Sequence, residues 1–314
     1  MKSGAAARTA ESYFLPLGRA TDALGRFGKD RTTADAVLFS QSFRPTAHTI
    51  GPWDPKLMHG GPISGLLARC AEIVARHEGI NKPNIVRVAF GFYRPLQLVD
   101  FNVEVSMLRT AGKASHMNVV AKTVPAKESD EAKVLVQMFA VCIRQEEVPD
   151  VPPAPEAAYP KNWFPREQRK EEIPYSFPVA TDLPQCYSKS LECRVKKVDR
   201  GMDDAGMGDG PTAIRYRQKI PLLPDEELTG LQRVLVVCDS AGGTSWYVDF
   251  MSYLFLNADM TVNILRPLEG EWVGMRSKTI LNPKQGTGLA SADLFDDNGF
   301  VGYSTQSQVL QSRM

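Results

Sequence analysis

The chain has 314 residues, of which 43% are hydrophobic and 23% charged, with a formal net charge of +1. That length is enough for two cores of ordinary globular composition, and so small a charge argues against a surface built to bind polyanions. Neither a basic tract with interleaved aromatics nor a run of about 18 apolar residues occurs, so neither nucleic acid nor a membrane span is expected.

The stretch from Met1 to Ser12 lacks the apolar core of a signal peptide, which leads to the expectation of a cytoplasmic protein. Residues 5–29 hold a short mix around Tyr13-Phe14-Leu15 and then turn residues, and a strand is predicted near 36–43. Next comes Trp53-Asp54-Pro55-Lys56-Leu57-Met58-His59-Gly60-Gly61-Pro62, leading into a predicted helix that runs to about residue 77. Its apolar positions, Ile63, Leu66, Leu67, Cys70, Ile73 and Val74, follow the spacing of one broad buried face. A glycine-rich turn feeding a buried helix leaves backbone N–H groups free at the helix start, where an anion or a developing oxyanion can bind. The plainer reading of the two glycines is close packing. After a turn at 79–83, strands are predicted at 85–93, 101–109, 115–124 and 134–144, each rich in Val, Ile, Phe and Met. One helix followed by four antiparallel strands is an α+β pattern, with the helix on one face of the sheet.

From Val148 to Pro184 the chain changes character. Pro149, Pro152, Pro153, Pro155, Pro160, Pro165, Pro174 and Pro178 keep it from forming a long regular element, so it reads as a linker crossing the surface of the first domain. The expected division is therefore 1–147, a linker at 148–185, and 186–314. The second half opens with strands predicted at 190–198 and 213–220, on either side of a glycine-rich segment at 201–210. The apolar run 231–238 leads into Asp239-Ser240-Ala241-Gly242-Gly243, and strands at 260–265, 271–281, 288–295 and 301–310 close the chain.

The two halves repeat. Phe92-Tyr93-Arg94-Pro95-Leu96 aligns with Ile264-Leu265-Arg266-Pro267-Leu268, 172 residues later, and Gln137 aligns with Gln306, 169 later. Gly60-Gly61 aligns with Gly242-Gly243 at 182, which implies a second helix region about ten residues shorter. Two copies of helix-plus-sheet can cover their open edges by joining into one continuous sheet.

These residues carry a resemblance. His59-Gly60-Gly61-Pro62 with Leu66-Leu67-Ala68-Arg69, and Leu231-Gln232-Arg233-Val234 leading to Asp239-Ser240, resemble the type II acyl-CoA thioesterases of the double-hotdog fold. So do Leu256-Asn257-Ala258-Asp259-Met260-Thr261, Leu265-Arg266-Pro267, Glu271-Trp272 and the closing Ser304-Thr305-Gln306-Ser307-Gln308. The resemblance implies two helices wrapped by antiparallel sheets that pair into one. It also implies hydrolysis of an acyl-CoA thioester, with coenzyme A present only as part of the substrate, and a homodimer or larger homo-oligomer. It places a water-activating Asp at the start of the second-half helix, a hydroxyl or amide on the next strand and a Gln on the last. Those positions are Asp239, Asn257 and Gln306. Asn257 stands where Thr or Ser is usual; it can hold a water by hydrogen bonds but has no hydroxyl to donate.

Hydrolysis needs an activated water and donors for the oxyanion. Partial burial is expected to raise the Asp239 carboxyl toward the working range of a general base. Simpler roles are an N-cap for Asp239 and a solvent-facing strand position for Gln306. Asn257 and Asp259, two apart, are expected on one face, with Asp259 a reserve base or an ion-pair partner. Oxyanion donors would come from Gly60-Gly61, beside His59, or from Gly242-Gly243. Phe90, Phe92 and Trp246 either line an acyl tunnel or pack in the core. The histidines (His48, His59, His77, His116) show no metal-ligand spacing, and the cysteines stand singly, so no metal is expected and the thiols read as reduced. Two other classes remain open. Asp54 and His59 are spaced as in hotdog hydratases, which suggests a lyase acting on an acyl-thioester or polyketide-like substrate. The other is a non-catalytic acyl-ligand binder. No G-x-S-x-G elbow supports a serine hydrolase.

Overall fold

The computed structural model describes residues 11–22, 36–78, 84–125, 127, 129–177, 183–196 and 212–313. The turn expected at 79–83 and the glycine-rich segment at 201–210 lie outside the described residues. The first half runs β1 (Phe14–Asp22), β2 (Val37–Pro45), α1 (Gly60–His77), β3 (Asn84–Phe92), β4 (Phe101–Ala111), β5 (Ala114–Thr123) and β6 (Val134–Ile143). The second runs β7 (Glu172–Tyr175), β8 (Leu191–Lys196), β9 (Thr212–Gln218), α2 (Gly230–Cys238) and α3 (Ala241–Thr244). It closes with β10 (Tyr253–Asn257), β11 (Asp259–Ile264), β12 (Val273–Asn282), β13 (Thr287–Asp296) and β14 (Gly299–Ser312).

All strands join one 14-stranded antiparallel sheet. Within it the order β2-β4-β5-β6-β3 is repeated by β9-β12-β13-β14-β11. The halves meet where β3 pairs with β11, from Gly91 opposite Asp259 to Arg87 opposite Asn263. That pairing removes two open edges. The α+β double-hotdog architecture expected from the sequence is therefore the one observed.

The helices lie together against the inner face. Helix α1 is buried on nearly every side over Gly61–Ala68, because it packs on the sheet with one flank and on α2 with the other. Two glycines one turn apart make that crossing possible. A Cβ at Gly61 would fall on the Val236 carbonyl oxygen, and one at Gly65 would lie 2.8 Å from Val236 Cγ2. Helix α2 starts at Gly230, where Thr229 and Gln232 form a capping box. The structural partner of Gly60 is thus Gly230, 170 residues on and in step with the other two repeat anchors. The alignment of Gly60-Gly61 with Gly242-Gly243 is overturned, since the latter pair lies in α3, beyond the end of α2.

Two further expectations change. The proline-rich segment packs on the second half rather than the first: the Phe164 ring lies 5.6 Å from that of Phe295, and β7 extends the sheet beyond β8. Between β10 and β11 the register on β14 slips by one residue. Asn257 faces Gln308 and Thr261 faces Thr305, whereas an unshifted ladder would set Thr261 opposite Ser304. The slip at Ala258 separates Asn257 from Asp259. Asn257 turns toward α2, and Asp259 turns outward to accept from the Ser307 amide and hydroxyl.

Candidate active site

The start of α1 meets the end of α2. His59 is the N-cap of α1, its ring stacked on Tyr187 with centroids 3.8 Å apart. Its Nδ1 lies 3.0 Å from the Gly61 amide and 3.0 Å from Asp239 Oδ2. Asp239 is the C-cap of α2, neither a helix start nor an N-cap, because the apolar run before it is the helix itself. Asn257 Nδ2 donates to Asp239 Oδ1 at 2.7 Å and to the Asp239 carbonyl at 2.9 Å. Gln308 Nε2 in turn donates to Asn257 Oδ1 at 3.0 Å. His59, Asp239, Asn257 and Gln308 therefore form one polar line drawn from both halves.

The same contacts satisfy the carbonyls that a helix end leaves open. Tyr187 donates its hydroxyl to Val236 O, and the Asp239 and Ser240 amides donate to Val237 O. Gln306 Nε2 donates to Cys238 O at 2.6 Å. On β14 the residues Ser304, Gln306 and Gln308 alternate into the buried face, so none of them is solvent-facing. Gln306 reaches the backbone behind the site, while Gln308 lines the pocket. Among the described residues neither Oε1, both buried, has a hydrogen-bond partner.

Burial pushes the Asp239 carboxyl up. The His59 charge and hydrogen bond, the Asn257 amide and the Gly60 amide together outweigh it, holding the carboxyl below the ordinary aspartate value. The expected rise is thus reversed. The group is buried among donors rather than hydrocarbon, and it faces the positive end of α1.

These polar groups open into a cavity of about 550 Å³, otherwise lined by Trp53, Leu57, Met58, Phe92, Phe250 and Phe255 among others. An apolar cleft with a few convergent polar groups suits an acyl chain whose reacting end is held in place. Phe92 lines it. Phe90 belongs to the core, and Trp246 packs behind, 4.7 Å from the Phe250 ring. Gly60 is required where it stands, since a Cβ would lie 2.8 Å from Asp239 Oδ2. Gly242 leaves room for the Gln308 amide, and Gly243 lines the cavity. Neither opens a helix of useful length. Asp54 lines the pocket too, but its carboxylate accepts from the Lys56 amide, and the carboxylate against His59 is Asp239. Among the described residues no cluster of His, Cys, Asp and Glu has the makings of a metal site. No helix there is long and apolar enough to cross a membrane.

The chain matches the model of the acyl-CoA thioesterase N-terminal domain over residues 49–143 and that of the C-terminal domain over 155–310. The chain belongs to the acyl-CoA thioesterase family. The reaction of that family is hydrolysis of an acyl-CoA thioester to the free acid and coenzyme A. Among solved structures, a protein from Thermobifida fusca described as a thioesterase II superposes with a TM-score of 0.60 at 14% identity, over 87% of this chain and 92% of that one. A hot-dog-fold protein of unknown function from Alicyclobacillus acidocaldarius gives 0.58 at 13%, over 89% and 94%. Acyl-CoA thioesterase II TesB2 from Mycobacterium marinum gives 0.54 at 14%, over 86% and 92%. At such identities these likenesses speak for the fold alone. Comparison with curated protein sequences gives no match.

Proposed function

We propose that the acyl-CoA thioester is hydrolysed where α1 starts and α2 ends, by a water held against Asp239, Asn257 and Gln308. The observation that carries this reading is their unbroken hydrogen-bonded line, opening into an apolar cavity. The acyl chain lies among Trp53, Phe250 and Phe255, and the thioester carbonyl lies over the α1 start. In the first turn of α1 the Gly60 amide is bonded to Asp239, and Pro62 has no N–H. The Gly61 N–H points at His59 Nδ1, so the oxyanion is stabilised by the positive end of α1 as a whole. Gln306 acts one step back, fixing the end of α2 through the Cys238 carbonyl. The reaction calls for no metal or other cofactor. Five buried cysteines, none of them in a disulfide, support a reducing, cytoplasmic setting. A homodimer or larger homo-oligomer belongs to the same reading, and light scattering on the purified chain tests it.

Thiol release from a series of acyl-CoAs of rising chain length, followed with a thiol reagent, tests the site. Release that the Asp239→Asn variant abolishes supports it. No release at any length would favour the acyl-ligand binder. The lyase reading on Asp54 and His59 gains nothing from the geometry, because Asp54 caps its own turn.

A further inference from the structure

We infer that His59 Nε2 is the proton acceptor of the hydrolysis, with Asp239 fixing the tautomer of the ring. The inference rests on the hydrolytic reading above and adds the residue that takes the proton from water. It begins with a conflict in the geometry. His59 Nδ1 is 3.0 Å from both the Gly61 amide nitrogen and Asp239 Oδ2, with the two side chains only 11% and 9% exposed. One ring nitrogen carries either a proton or a lone pair. With a lone pair it would accept from Gly61 and set two acceptors face to face, with no proton between them, in a buried site. With a proton it donates to the carboxylate, and the Gly61 N–H, which points at the same nitrogen, loses that acceptor. Asp239 already accepts from Asn257 on its other oxygen and stands as an acceptor toward the ring, so the proton sits on Nδ1.

One consequence follows from that tautomer. The Nε2 lone pair is left on the opposite edge of the ring, in a residue that lines the cavity. Among the described residues nothing hydrogen-bonds to it. The ring is also held in plane. Tyr187 stacks on it and donates its single O–H to Val236 O, so it accepts from the Ser240 hydroxyl. Burial raises Tyr187 well above its ordinary value, which keeps it neutral. Among the described residues, the titratable and charged groups that share the cavity with His59 are Asp239 from the end of α2, Cys186 and Tyr187 from the segment before β8, and Asp54, Tyr93 and Arg94 in its wall.

Asp239 is poorly placed to take the proton itself. Its Oδ1 accepts from Asn257, its carboxylate also meets His59 and the Gly60 amide, and a carboxyl held low is a weak base. In the step that follows, the water oxygen bonds to the thioester carbonyl carbon while its proton passes to Nε2. The oxyanion lies over the positive end of α1. As the carbonyl reforms the C–S bond breaks, and the Nε2 proton moves to the departing sulfur, leaving the acid and the coenzyme A thiol.

The test is His59→Asn in the full chain, because Asn keeps a good N-cap and removes the imidazole. The expected result is a kcat lower by about 100-fold or more, the scale of general-base catalysis. KM and the melting temperature change little, and the acid limb of the wild-type kcat/KM profile disappears. The inference is overturned if the variant keeps more than about a tenth of wild-type kcat, or if the same acid limb persists in it. If the wild-type chain releases no thiol from any acyl-CoA, the hydrolytic reading itself fails, and that outcome is read before the variant is made.

Discussion

At Asp239 burial is opposed by the His59 charge and by hydrogen bonds, which together prevail. Asp239→Asn keeps the shape but turns one acceptor into an NH₂ that confronts Asn257, His59 or the Gly60 amide. Turnover should fall by about 100-fold or more with the circular dichroism spectrum unchanged; wild-type rates in a folded variant would remove the carboxylate from the mechanism. The linkage has a definite sign. A carboxyl held low in the fold stabilises it above the ordinary aspartate pKa of about 3.9, and that contribution fades as pH falls through the lower folded value. The stability gap between wild type and Asp239→Asn should therefore close in acid. The two glutamines separate in the same way. Gln306→Leu strands the buried Cys238 carbonyl and should cost about 1–3 kcal/mol in denaturant unfolding, with the smaller effect on rate. Gln308→Leu should show the larger loss of kcat; the reverse order would return the catalytic amide to Gln306. Asp239 and Asn257 were singled out in the sequence through the family pattern, and the fold brings them into hydrogen-bond contact. Period-two alternation puts Gln306 and Gln308 on one face, and only the position of the α2 end tells them apart. Nothing local marks Tyr187.

Each helix start faces a carboxylate carried by the other helix. Asp239 meets the start of α1, and Glu72 in α1 accepts from Thr229 Oγ1 at 2.8 Å and Gln232 Nε2 at 2.6 Å at the start of α2. Their outcomes differ. For Glu72 burial outweighs the bonds from Gln232 and Thr229 and the charges of Arg76 and Arg69, and the carboxyl is raised. A raised carboxyl contributes its stability below the ordinary glutamate pKa of about 4.3, and loses it as pH rises through the folded value. Wild type should therefore lose stability relative to Glu72→Gln as pH rises from that point. A difference that stays flat with pH would show that Glu72 titrates normally. Gly61→Ala tests the helix crossing itself. The added methyl meets a backbone carbonyl that cannot swing away, so a loss of about 1–3 kcal/mol is expected in denaturant unfolding, and an unchanged midpoint would mean the helices part freely. The position of α2 was partly written in the sequence, in Thr229 and Gln232 at capping-box spacing. Its single short run gave no clear helical period, and the Gly242-Gly243 pair offered a false match to Gly60-Gly61.

At the scale of the molecule, sheet and site divide along the same seam. His59, Gly60 and Gly61 come from the first half, and Asp239, Asn257 and Gln308 from the second; the β3–β11 pairing and the α1–α2 crossing hold them in register. The repeat and its closure into one sheet were legible because strand order follows from element order and edge burial. The path of the proline-rich segment was not, since it depends on where Trp163 and Phe164 find Ala213, Phe295 and Phe300. Cutting the chain at the seam exposes β3 and β11 as open edges and strips α1 of the flank it buries on α2. Residues 1–147 and 148–314 produced separately should therefore be inactive and unfold without a sharp transition. Produced together they should recover thioester hydrolysis, and the intact chain should melt in one cooperative step. A half that unfolds cooperatively as a monomer would show that the seam is a contact between independent domains, and two calorimetric transitions in the intact chain would show the same.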